Sequence, residues 1–181
     1  MANNVYCTLQ LNYGSPAAEE EWKRVFRLLT KLDPYSDDYG LQYLDIYKTN
    51  AEIADNEFMM EHIGSVSAVL EGPVTFVACS EYNYIYEHTI VSKWTAPQKF
   101  FEELAEHMYE FDEDVKLSLI YEDEFYNFAG AITFADGHFD QQQESGGWFT
   151  QEQHNEGRDP RDFQDFVTES IERFRREQLE T

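Results

Sequence analysis

From Val5 to Asn12 the chain alternates without a break, Val5, Cys7, Leu9 and Leu11 against Tyr6, Thr8, Gln10 and Asn12. Successive side chains of a β-strand point to opposite faces, so this run predicts a strand with one buried face. The same period returns at Val115, Leu117, Leu119 and Tyr121. There Glu122-Asp123-Glu124 turns the chain and Phe125 to Phe134 runs back, predicting a hairpin with a charged tip. Whatever this chain becomes, a sheet organises it.

Helices are signalled between the strands. Ser15 is a natural N-cap with Pro16 at the first helical position, acids follow near the positive end of the helix dipole, and Trp22, Val25, Phe26 and Leu29 form a stripe before Asp33-Pro34. Thr95-Ala96-Pro97 opens a second helix from Gln98 to Tyr109, with Phe100, Phe101, Leu104 and Met108 inward. Val74 to Cys79 and Tyr82 to Trp94 gather β-branched and aromatic residues around Ser80 to Asn83, as paired strands do. Residues 35–72 read as a mixed insertion: Leu41 to Tyr47 a strand, Ala51 to Phe58 a short helix, Val66 to Leu70 another short element. The sum is an α+β fold, a ferredoxin-like sandwich with a mostly antiparallel sheet covered by two helices and an inserted middle segment.

At the end of the chain Asp159 caps and Pro160 begins an amphipathic helix reaching about Leu179, with Phe163, Phe166, Val167, Ile171 and Phe174 on one face. That face either packs on its own domain or docks to a partner or a second copy, making a homodimer through the C-terminal helix. The predicted organisation is therefore a domain over residues 1–140, a loop or linker over 141–157 rich in Gln, Gly and Glu, and the helix over 158–181. A chain of 181 residues suits one such domain and buries roughly 70% of its unfolded surface. Aromatic content of 16% is too rich for a disordered chain.

Two stretches carry a resemblance. SKWTAPQKFFEELAEHM, Ser92 to Met108, and VKLSLIYEDEFYNFAGAITFADG, Val115 to Gly137, resemble the YubB-like family of phage and plasmid proteins with a ferredoxin-like domain, and the opening MANNVYCTLQL looks similar to that family's start. The shared features fall at Trp94, Ala96-Pro97, Phe128-Ala129-Gly130 and Asp136-Gly137, over a third to a half of the chain, while the part after about residue 140 departs from the usual pattern. The resemblance implies a mobile-element origin and action in a bacterial host, and carries over no catalytic residue.

Chemistry-bearing motifs are sparse. No phosphate loop, GxSxG elbow, HExxH, EF-hand loop or Cys-His nucleophile spacing occurs, so the chain is not expected to be an enzyme or to hold a cofactor or metal. His138 with Asp140 and Asp136 offers at most ligands on one strand face, or else a solvated strand end. Cys7 and Cys79 sit in apolar strands without a metal spacing and read as buried free thiols rather than a disulfide. No leader is visible and no apolar run approaches the about 18 residues a membrane span requires, which points to the cytoplasm.

Charge is the loudest signal. With 36 acids against 13 bases the net charge is −23, far beyond the magnitude of about 2–8 that solubility asks of a small domain. Direct nucleic-acid binding is disfavoured by the repulsion. Residues 158–181 hold 7 acids and 5 arginines, so the excess lies on the globular part. It concentrates at Glu102, Glu103, Glu106, Glu110, Asp112, Glu113, Asp114, Glu122, Asp123 and Glu124, against the single base Lys116. Helical spacing aligns 102, 103, 106, 110 and 113, and the hairpin tip would extend them into one continuous negative surface. The expected function is that of a phage- or plasmid-encoded acidic binding protein which inhibits or modulates a host protein through its basic surface, in the manner of a DNA mimic acting against host defence. The alternative is an aromatic-anchored adaptor or inhibitor of a host enzyme or polymerase, using Tyr82, Tyr84, Tyr86, Trp148 and Phe149. Adaptation to high salt would explain the acidity without any partner.

Overall fold

β1 (Asn4–Asn12) lies at the centre, antiparallel to β3 (Tyr84–Lys93) on one side and to β4 (Lys116–Asp123) on the other. The computed structural model describes residues 3–13, 15–29, 61, 64–65, 68–78, 84–125, 127–145 and 160–177. β2 (Ala68–Ala78) pairs with β3, β5 (Phe128–Ala135) with β4, and β6 (His138–Ser145) with β5, giving one antiparallel sheet in the order β2-β3-β1-β4-β5-β6. α1 (Pro16–Leu29), α2 (Gln98–Tyr109) and α3 (Pro160–Glu177) complete an α+β architecture.

The alternation of β1 is realised side for side. Val5, Cys7, Leu9 and Leu11 are buried beneath α1 and α2 with Tyr86, Ile90, Leu117, Leu119, Tyr121, Ile132 and Phe134 of the neighbouring strands. α1 begins as its sequence dictates: the Ser15 hydroxyl accepts the Ala18 N–H at 3.2 Å, and Ala18, Trp22 and Val25 face inward. α2 begins after Pro97 without a side-chain cap, the Pro97 carbonyl accepting the Phe101 N–H at 3.1 Å. It buries Phe100, Phe101, Leu104, Ala105, His107 and Met108.

α3 covers the opposite face of the sheet. Phe166 and Val167 pack on Ala129, Phe174 is buried, and the Ile171 carbonyl accepts the Gln10 amide at 3.5 Å. Phe166 and Val167 of the expected stripe thus meet the chain's own sheet. The fold thus has three layers, and the polar side of β1 is not an open face: Gln10 is fully buried. Its polar groups are satisfied by a chain of partners. Gln10 donates to Glu87 at 2.7 Å, the Ser118 hydroxyl donates to Gln10 at 2.7 Å, and Arg175 of α3 forks onto both Glu87 oxygens at 2.7 and 2.6 Å.

Two expectations need correction. Val66 to Leu70 and Val74 to Cys79 were separate elements in the sequence, but 68–78 is one strand with a register shift between Glu71 and Thr75, across Gly72-Pro73. Pro73 punctuates the sequence without ending the strand because β2 is an edge, where a missing N–H breaks no inner ladder. The stretch 141–145, assigned to the linker, is the second half of β6. Asp136 and Gly137, with φ of 53° and 74°, form the left-handed pair of a two-residue hairpin turn that launches it. The rest of the linker, residues 146–157, and the elements expected over 35–58 lie outside the described residues. At Gly130 a Cβ would overlap the ring of Tyr121, its cross-strand partner, so this position admits no side chain without moving the ring.

Candidate functional site

α2 presents the acids. With its apolar residues turned to the core, Glu103, Glu106 and its C-cap Glu110 stand exposed, and Glu113 and Asp114 continue them in the turn that follows. Helical rise separates 103, 106 and 110 by roughly 5 Å each along the axis. Lys99 engages Glu102 at 3.0 Å at the start of the helix, leaving Glu102 half-buried. Asp112 is half-buried, one of its oxygens accepting the Asp114 N–H at 3.0 Å, as short side chains do in turns. From Phe100 to Val115 the sequence holds no Lys or Arg, so no base of this segment offsets the row.

The hairpin tip is a different object. Asp123 is buried and works as the hub of the turn: its carboxylate accepts the N–H groups of Phe125 and Asn127 at 3.1 and 3.0 Å, the Asn127 amide at 2.6 Å and the Asn3 amide. Glu122 is half-buried, with one oxygen buried and without a hydrogen bond, and that burial pushes its carboxyl above the ordinary range. Glu124 is exposed and accepts the Asn4 N–H at 3.0 Å. The Gln98 amide donates to the Tyr121 hydroxyl at 2.9 Å, which places the tip beside the start of α2. Tyr109 packs on Phe134 at the other end, beyond which Glu110, Glu113 and Asp114 lie. Of the tip acids only Glu124 is exposed, while Glu102 and Glu103 stand at the end of α2 that the hairpin adjoins.

The aromatic candidates divide as well. Tyr84 opens β3, and Tyr86, two residues on, is buried against Tyr13 and Trp22. Tyr82, Trp148 and Phe149 lie outside the described residues. Among the residues seen, the large exposed apolar side chains are Tyr6, Trp94, Phe111, Phe125 and Phe139, none of them a candidate from sequence.

Between the helices, His107 and Glu21 meet at 2.6 Å, and Arg24 forks onto the same carboxylate at 2.8 and 2.5 Å. Arg24, opposed by burial and helped by His107, holds the Glu21 carboxyl below its ordinary value. This group ties α1 to α2 where an apolar contact would otherwise stand. Its signal was visible only in retrospect, as a His three residues after Leu104 on the inner side of α2. Cys7 is a free buried thiol, its pKa pushed up to about 12 by burial, too high for a thiolate nucleophile at neutral pH. Cys79 lies outside the described residues. His138 uses Nδ1 on the Asp136 carbonyl at 2.8 Å, within its own turn. No group of three or more His, Cys, Asp or Glu is arranged to hold a metal among the described residues, and no described helix is long and apolar enough to cross a membrane.

No family model matches the chain, and no curated protein or solved structure is significantly similar to it.

Proposed function

We propose that the chain is an acidic binding protein of phage or plasmid origin that engages a basic surface of a host protein through the outer side of α2. The single observation that carries this reading is the exposed row Glu103, Glu106 and the C-cap Glu110 on a helix whose other side is locked into the core, continued by Glu113 in the turn that follows. Its linear density, one carboxylate per roughly 5 Å, approaches the one charge per ~3.4 Å of a single strand of duplex DNA. A cleft that tracks one phosphate backbone with Lys and Arg is the kind of surface such a row fits. The scaffold is read as a ferredoxin-like sandwich, supported by the chain order β1-α1-β2-β3-α2-β4 and the strand order β2-β3-β1-β4, with β5, β6 and α3 as additions. The kinship to the YubB-like family, and with it an anti-defence role in the host cytoplasm, rests on the residues of Ser92 to Met108 and Val115 to Gly137.

Reversing Glu103, Glu106, Glu110 and Glu113 together to Lys tests the reading, since all four are exposed and their loss leaves the core untouched. A host protein retained by the wild-type chain at low salt should no longer be retained by the quadruple variant, whose circular dichroism should match the wild type. Equal retention of that protein by both would remove α2 as the contact. An aromatic-anchored contact without DNA mimicry is the second reading, favoured by the exposure of Trp94 and Phe125. Binding through these rings would survive a rise in salt that dissolves the acidic contact.

A further inference from the structure

Three of the exposed apolar side chains share one end of the sheet, where β1 begins and β3 and β4 end: Trp94 at 55% exposure, Phe125 at 51% and Tyr6 at 41%. The other two have ring partners, Phe111 on His107 and Phe139 on Phe134. No ring of the described residues stacks on Trp94, Phe125 or Tyr6. This end is also fixed in place. Trp94 donates its N–H to the Asn3 carbonyl at 2.9 Å, and Glu124 donates its N–H to the next carbonyl, that of Asn4, also at 2.9 Å. Trp94 and Glu124 therefore flank the start of β1, two strand spacings or roughly 10 Å apart. The Ser92 hydroxyl on the Thr95 carbonyl and the Thr95 hydroxyl on the Gly64 carbonyl brace one side, and the Asp123 hub braces the other.

Trp94 has a φ of 71°, left-handed backbone that a bulky side chain adopts only at a cost glycine would avoid. More than half of its side chain is exposed, so packing does little to offset that cost. Strained, rigidly held, exposed aromatic residues are what binding surfaces present. Charge selects the occupant. A chain of net charge −23 repels anions, and the faces of aromatic rings are themselves negative. A guanidinium satisfies both: it stacks on indole and forks onto a carboxylate. Of the bases nearby, Lys99 is held by Glu102.

We infer that this end of the sheet is a second contact surface, which receives an arginine-bearing segment of a protein partner, one guanidinium over Trp94 and another at Glu124. Three residues of extended chain span the roughly 10 Å between them. The inference does not depend on the acidic row of α2, and its test separates the two.

The probe is a capped peptide carrying two arginines three residues apart, titrated calorimetrically into the full chain at about 0.3 M salt, where loose charge attraction is screened. Its lysine and citrulline counterparts serve as comparisons. The arginine peptide is expected to bind, the lysine peptide several-fold more weakly, and the citrulline peptide not at all. Trp94→Gly, which suits the left-handed backbone and so keeps the fold, should weaken binding at least about tenfold, as should Glu124→Gln. Glu106→Gln with Glu110→Gln should change it less than about twofold. Undiminished binding by Trp94→Gly, equal binding of the citrulline peptide, or absence of arginine-peptide binding would each overturn the inference. So would sedimentation showing a dimer that Trp94→Gly dissociates, since a second copy would then occupy the surface.

Discussion

Glu122, Asp123 and Glu124 are three consecutive acids in three environments: half-buried and pushed toward protonation, buried as the hub of a turn, and exposed. Nothing in the residue types distinguishes them; strand parity and the turn do. At Glu122 the folded carboxyl holds its proton more tightly than the unfolded one, because burial disfavours the charged form. Whatever stability it contributes is present below the unfolded value and is lost as pH rises through the folded one. Glu122→Gln is therefore expected to stabilise the protein at neutral pH and to give no gain below about pH 4, measured by urea unfolding at both. An equal gain at both would remove burial of charge as the cause. Gly130 makes the opposite point, since an added methyl displaces Tyr121 from its place and from Gln98. Gly130→Ala should cost about 1–3 kcal/mol, the range of core overpacking, and a loss under half a kcal/mol would show that the ring yields freely.

At the level of elements, periodicity was a faithful guide wherever one face was apolar. β1, α1, α2, the paired strands β4 and β5 and the C-terminal helix lie where alternation or a stripe placed them, but the hairpin turns at 124–127, with Glu122 and Asp123 still in β4 and β5 starting at Phe128, not at Phe125. β6 escaped because His138 to Ser145 is polar almost throughout and Phe139 is its one large apolar residue, although Asp136-Gly137 is itself a hairpin signal. Which face of the sheet the C-terminal helix covers was not legible for a related reason. Gln10, Glu87 and Ser118 look like solvent-facing residues, and they are buried because α3 brings a matching Arg175 to them. Arg175→Ala leaves Glu87 facing Gln10 without its cation. Partial exposure of the arginine puts the cost at the low end for a buried pair, about 3 kcal/mol, or a midpoint lower by about 6–12 °C. Thermal unfolding checks this, and limited proteolysis should cut the variant first within α3. A midpoint within a degree of wild type would mean that the fork adds nothing to the apolar contacts of Phe166, Val167 and Phe174.

For the whole molecule the decisive quantity is how an excess of 23 negative charges is distributed. Acid–base pairs absorb part of it: α1 sets Lys23 against Glu19 and Glu20, and Arg24 against Glu21. On α2 Lys99 is set against Glu102 in the first turn, and Glu106 and Glu110 stand exposed further along. Clustering along α2 was legible from helical spacing alone, whereas the burial of Asp123 at the tip was not, because it depends on the hydrogen bonds of the turn. If the row is an electrostatic counterpart of a DNA strand, the same basic protein cannot hold the row and duplex DNA at once. The direct measurement is competition: a host protein retained by the immobilised chain at about 0.1 M salt is challenged with duplex DNA. The account predicts release by duplex DNA at that salt, and release without DNA when the salt is raised several-fold. Retention through both challenges would contradict it.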